Sequence, residues 1–166
     1  MGLDPKQFRD FVFNPCFEAM RSPYDSPKGR QQTLFTILHE SKGLEAISQY
    51  GSGYARGLGQ TEPPTYNDIW RYLREQRPGP RAALAMIRRV NGIGAGKPLI
   101  DRLYWDMRYS ICMVRMKYWM NPEELPELGD FIGVTDYWSR NYQTSDDPAK
   151  EGEFLAWVEQ HAGLIA

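Results

Sequence analysis

The sequence predicts a mainly α chain with one small β-hairpin after the second helix. Three observations carry that expectation. Apolar residues recur at spacings of three and four, as in Leu34, Ile37, Leu38 and Ser41, which is the period of one buried helical face. Cap-and-proline pairs, Asp4-Pro5 and Ser26-Pro27, mark helix starts. Between Leu44 and Gln60 both signals stop. There Gly51, Gly53, Gly57 and Gly59 alternate with Tyr50, Tyr54 and Leu58, as in short strands joined by tight turns.

Taken in order, Asp4-Pro5 opens a first helix that Pro15 interrupts or kinks. The turn-rich SPYDSPKG connector leads to a second helix from Ser26-Pro27 to about Ser41, with Gly43 placed to end it. After the glycine-rich segment, Thr65 followed by Asp68 resembles a capping box and starts a helix to about Gln76. Pro78 and Pro80 break it, and another helix runs from about Arg81 to Val90. Pro98 is expected to start the longest helix, reaching about Met120, with Leu103, Met107, Ile111, Val114 and Tyr118 at core spacing. Two last helices follow, about Gly129 to Asn141 and Glu151 to Gln160. The 166 residues suit one domain spanning 1–166. A chain of this size buries roughly two-thirds of its unfolded surface and needs no metal or disulfide staple.

Composition excludes several functions. Formal net charge is −1, so there is no basic field to gather nucleic acid. No apolar stretch has the length of a membrane span. Asp4, Lys6, Arg9 and Asp10 interrupt any signal-peptide pattern, which leads us to expect synthesis in a cytoplasm and delivery by something else. Cys16 and Cys112 lack metal-ligand spacing and read as buried free thiols; no metal or other cofactor is expected. The NGIGAGKP run has glycines, but not at phosphate-loop spacing, and no Ser or Thr follows Lys97. His39 and His161 have no evident Ser, Cys or metal partner and receive no role. Five Trp and ten Tyr exceed what a minimal core requires, and suit sugar platforms, a helical core or an interface. Trp70 with Tyr66, and Trp105, read as packing.

Glu40 is the candidate for chemistry. It closes a helix with a buried apolar face, just before a glycine-rich bend, so its carboxyl is expected at a cleft wall. Partial burial there would favour the protonated form that glycosidic cleavage requires of its acid. A second carboxyl is less evident. Glu45 reads as a solvent-facing loop residue. Glu62, fixed by Pro63-Pro64, is the better candidate, with capping of the next helix as its structural alternative.

The spacing E-S-x(6)-S-x(8)-G-L-G-Q, from Glu40-Ser41 through Ser48 to Gln60, is similar to the pattern of lytic transglycosylases and goose-type lysozymes. The resemblance implies a lysozyme-like helical domain in which Glu40 is the general acid, Ser48 faces the substrate, and a G-L-x-Q strand with Gln60 lines the sugar cleft. The loop is slightly longer here than in that pattern, so Gln49 and Ser52 are alternatives to Ser48. A wider resemblance covers LHESKGLEAISQYGSGYARGLGQTEPPTYNDIW, DYWSRNYQT and GEFLAW, which look like a family of bacteriophage proteins, particle components or lysozyme-like. In such a fold the YWSRNYQT segment returns to the cleft and places Tyr142 near Glu40; the alternative is that Trp138 and Tyr142 form one packed face. The resemblances imply a peptidoglycan glycan strand as substrate, other virion proteins as possible partners, and a phage particle (tail or internal protein) acting in the host periplasm. One carboxyl suffices for a transglycosylase, and a single-Glu hydrolase is chemically close. A non-catalytic virion subunit with the same fold is the competing expectation.

Overall fold

The computed structural model describes residues 2–49, 51–143 and 147–165. Asp4 accepts a hydrogen bond from the Gln7 N–H at 2.9 Å and starts α1 (Pro5–Phe8). The chain passes through a π turn (Arg9–Phe13) into α2 (Asn14–Met20). Pro15 therefore does not end the helix. The widened turn before it shifts the hydrogen-bond register, accommodating the proline's missing N–H and its bulky ring.

Helix α3 (Pro27–Glu40) begins where expected, with the Ser26 hydroxyl accepting from Gly29 N at 3.1 Å. It is buried on more than one face. Gln31, Gln32, Thr33 and Thr36 are buried along with Leu34, Phe35, Ile37 and Leu38. Part of its polar surface is satisfied by neighbouring elements, while Gln32 Oε1 and Thr33 Oγ1 have no hydrogen-bond partner among the described residues. Gln32 Nε2 donates to Val134 O at 3.1 Å, and Thr36 shares a 2.6 Å hydrogen bond with Tyr118. This makes α3 the central helix, packed against α7 (Met107–Trp119), α8 (Phe131–Asn141) and α9 (Pro148–Gln160).

Several expected boundaries change; α9, for one, starts at Pro148 and not at about Glu151. Helix α4 (Pro63–Leu73) starts at Pro63, ahead of the Thr65 and Asp68 pair, because Pro is well suited to the first helical turn. Helix α5 (Pro78–Asn91) likewise takes Pro78 and Pro80 into its first turn, where their missing N–H groups cost nothing. The long helix expected from Pro98 is instead α6 (Arg102–Trp105) followed by α7. The break is Asp106, with φ −109° and ψ 91°; its carboxylate accepts from Tyr109 N at 2.9 Å and pairs with Arg102 at 2.8 Å. A competent cap inside an otherwise helical pattern starts a new helix. Asp130 and Asp147 cap α8 and α9 in the same manner.

The glycine-rich segment contains almost no strand. The hairpin is reduced to isolated antiparallel bridges, Ser48 with Arg56 and Arg56 with Thr61. Tyr50 lies outside the described residues. The Gly57–Gln60 piece is a turn closed by Gln60 N to Gly57 O at 3.1 Å, and not a strand. Most of the aromatic surplus is core: Tyr66, Trp70, Tyr109, Tyr137 and Trp138 are at most 2 % exposed. The Tyr66 and Tyr109 hydroxyls bond at 2.7 Å, and Trp70 Nε1 donates to Tyr109 at 3.0 Å. Trp105 departs from its expected packing role, being 70 % exposed. Cys16 and Cys112 are buried free thiols with sulfurs 3.9 Å apart. Among the described residues, no helix is long and apolar enough to cross a membrane.

Candidate active site

Helix α3 delivers Glu40, and a sharp bend follows it. Lys42, Gly43 and Leu44 are all in the left-handed region, with φ of 50°, 69° and 70°. The buried Ser41 hydroxyl supports this bend, donating to Ile37 O at 2.6 Å and accepting from Leu44 N at 2.9 Å. Gly43 is required twice over: its φ favours glycine, and a Cβ there would lie 2.9 Å from the Trp157 ring. The bend turns the chain away from α3 and exposes the end of the helix to a cleft of ≈ 500 Å³.

Glu40, Ser48, Gln60, Glu62 and Tyr142 all line this cleft. The Glu40 side chain is 19 % exposed, and its Oε1 accepts the Trp138 indole N–H at 3.1 Å. Trp138 is fixed in turn by stacking on Phe154, with centroids 4.4 Å apart and planes 14° apart. Ser48 reaches the cleft from the bridge with Arg56. Of its alternatives, Gln49 lines the cleft but spends its Oε1 on Ser52 and Ala55 N, while Ser52 lies on the exposed loop.

Gln60 has a φ of 45°, strained for a side-chain-bearing residue, and its Nε2 donates to Gly57 O at 3.1 Å. Glu62 occupies the N-cap position of α4, yet its side chain makes no capping hydrogen bond. The capping role is therefore not what its carboxylate performs. Glu45 is exposed, as its loop position suggests.

Tyr142 reaches the cleft and also packs. It is 6 % exposed, and its hydroxyl donates to Gly59 O at 2.6 Å. Burial, and then the negative charge of Glu40, push its phenol well above the usual range. Tyr142 is therefore a strut between the end of α8 and the G-L-G turn. Thr144, singled out in the same motif, lies outside the described residues.

The sequence alone does not show what three cleft residues contact. The sequence assigns His39 no role, but its Nδ1 sits 3.6 Å from Glu40 Oε1 and, among the described residues, has no hydrogen-bond partner. Its ring meets Trp138 and Phe154 edge-on. Trp138 belongs to the YWSRNYQT segment expected at the cleft, with packing as its alternative; it packs, and its indole N–H is also the donor to Glu40. Lys117 of α7 is the third. Its ammonium donates to Tyr142 O at 2.7 Å and lies 4.0 Å from the Tyr142 ring centroid. Burial draws its pKa down to about 8, against the opposing pull of the Glu40 and Glu62 charges. The signal available in the sequence was a lysine seven residues after Ser110 and three after Val114, on a buried helical face.

Chemically, the cleft offers three carboxyl groups (Glu40, Glu62 and Glu153), three ammonium groups (Lys42, Lys117 and Lys150), the His39 imidazole and several amide and hydroxyl groups. That inventory suits an uncharged or mixed-charge, oxygen-rich ligand. Set against protein-family models, curated proteins and solved structures, the chain has no match.

Proposed function

We propose that the protein is a peptidoglycan-cleaving muramidase of the lytic transglycosylase type, with Glu40 as its acid and base, carried in a bacteriophage particle for passage through the cell wall. The observation that supports it most is the gathering of Glu40, Ser48, Gln60, Glu62 and Tyr142 on one cleft. The spacing of Glu40, Ser48 and Gln60 along the chain is what the transglycosylase-like motif singles out.

In this reading the Glu40 carboxylic acid gives its proton to the glycosidic oxygen as the bond from that oxygen to C1 breaks. The acetamido oxygen of the same sugar shields the cationic C1. The Glu40 carboxylate then takes the proton of the C6 hydroxyl, and the C6 oxygen closes on C1 to leave a 1,6-anhydro sugar. Trp138 keeps one carboxyl oxygen fixed throughout, leaving the other for the saccharide. Ser48 and Gln60 are assigned to holding the glycan.

Glu40→Gln is expected to abolish clearing of purified cell wall while leaving the thermal melt unchanged. Full clearing by that variant removes the assignment. The presence of Glu62 in the cleft keeps the hydrolytic variant of the chemistry in view, with water replacing the C6 hydroxyl. Mass spectrometry separates the two: anhydro ends support the transglycosylase, reducing ends the hydrolase.

A second reading, a non-catalytic particle subunit with a lysozyme-like fold, is favoured by the large apolar side chains left in solvent. Leu99, Phe11, Trp105 and Ile132 are 79 %, 77 %, 70 % and 68 % exposed. Wild-type protein that binds cell wall without releasing any sugar product would select it. Detection of the chain in purified particles tests the particle setting for both.

A further inference from the structure

Lys117 is the cleft group for which the muramidase chemistry above has no use. Placing an ammonium on the floor of a partly buried cleft is costly, and its lowered pKa records that cost. It forms one hydrogen bond among the described residues, to the Tyr142 carbonyl, although the group has three donors. Among the described residues no carboxylate is within ion-pairing distance of it, though Glu40 and Glu62 both act on it through space. The other charged or titratable groups around the cleft are His39 on α3, Lys42 in the bend, and Lys150 and Glu153 on α9. An ammonium held in place, facing a cavity and lacking a direct counter-ion, is arranged to receive an anionic oxygen from a ligand.

We propose that Lys117 is a specificity-determining residue that binds the free lactyl carboxylate of a muramic acid unit, so that the cleft prefers glycan stripped of its stem peptides. The proposal rests on the muramidase reading. In peptide-bearing glycan that carboxyl is an amide, carries no charge and is followed by bulky chain. The substrate would then be the product of an amide-hydrolysing reaction that frees the lactyl group.

The test compares two ligands differing in one charge: an N-acetylglucosaminyl-N-acetylmuramic acid disaccharide with a free lactyl carboxylate, and its lactyl methyl ester. Binding is followed by NMR titration at low salt with wild type, Lys117→Met and Lys117→Arg. Wild type is expected to bind the acid about tenfold more tightly than the ester, the range for one charge-assisted hydrogen bond. The ratio is expected to fall to about one in Lys117→Met and to survive in Lys117→Arg. In wild type it should shrink as pH rises through about 8, where the ammonium is lost. Equal binding of acid and ester by wild type, or an unchanged ratio in Lys117→Met, overturns the proposal and leaves the muramidase reading intact. If wild type binds neither ligand, both fall together.

Discussion

Replacing Gly59 by alanine adds one methyl group behind the cleft wall, at a point where there is no room for it. The backbone of Gly59 is outside the left-handed region, so conformation is not the obstacle. Space is. A Cβ there would stand 2.2 Å from Val114 Cγ2 and 2.6 Å from the Tyr142 hydroxyl. The first distance is short of an ordinary carbon contact by about 1.5 Å. Val114 cannot swing aside, being β-branched, helical and fully buried. The turn must therefore lift off α7, which costs about 1–3 kcal/mol as overpacking. Lifting also strains the Tyr142 to Gly59 hydrogen bond, for about 1 kcal/mol more. Gly59→Ala should then lose roughly 3 kcal/mol, read in urea unfolding as a lower midpoint at constant slope. Val114→Ala removes the opposing methyl, so the double variant should recover part of that loss and be clearly non-additive. A Gly59→Ala protein within about 0.5 kcal/mol of wild type, or strictly additive behaviour of the pair, refutes the close packing of this turn on α7.

The remaining predictions concern Glu40 and Lys117. Trp138→Phe keeps most of the ring but deletes the N–H that holds Glu40, and should cost about 1–3 kcal/mol in stability and roughly tenfold in wall cleavage; unchanged cleavage would show that the indole does not position the carboxyl. Lys117 supplies a pH signature. Its pKa is lowered from 10.5 to about 8 in the folded state, so between those values the unfolded chain binds the extra proton. Stability contributed by this group therefore rises with pH across that window, and its cost is fully present below about 8. Subtracting a Lys117→Met unfolding profile from that of wild type isolates the effect from the tyrosines, and a flat difference between pH 8 and 10 contradicts the buried ammonium.

Helices were legible wherever a local signal decided them. Asp4-Pro5 and Ser26-Pro27 are side-chain caps whose bonds lie within three residues, and both starts are where the sequence puts them. Misreadings arose where a local rule had two solutions. Asp106 sits in a helical pattern and could have been an exposed helix residue, but as a cap with Arg102 at hand it divides the helix. Alternating glycines suggested a hairpin, yet glycine permits turns as readily as strands, and only isolated bridges form. Burial of α3 on more than one face is not legible because Gln31, Gln32 and Thr36 lie off the apolar stripe and find their partners far along the chain. For the cleft, the residues of the short motif could be found from spacing alone. Lys117 and the Trp138 contact could not, because each depends on tertiary approach, and Trp138 meets Glu40 across 98 positions of chain.

Those long-range contacts also determine how the candidate site holds its shape. Its walls come from separate segments: the end of α3, residues 46–49, residues 60–65 at the start of α4, Lys117 of α7, the end of α8 and one face of α9. Hydrogen bonds join them in sequence. Lys117 fixes the Tyr142 carbonyl, and the Tyr142 hydroxyl fixes the Gly59 carbonyl. Separately, Trp138 ties α8 to Glu40 while stacking on Phe154 of α9. Neither route passes through the strained backbone at Lys42 to Leu44 or at Gln60; the first is held locally by the Ser41 hydroxyl and by Gly43 N–H to Leu38 O at 2.7 Å, the second by the two hydrogen bonds of Gln60 to Gly57 O. Such an arrangement puts the α8 and α9 pairing, and not the glycine-rich loop, in control of where the Glu40 carboxyl points. The loop lines the mouth of the cleft, and the helices set where the Glu40 carboxyl stands in it.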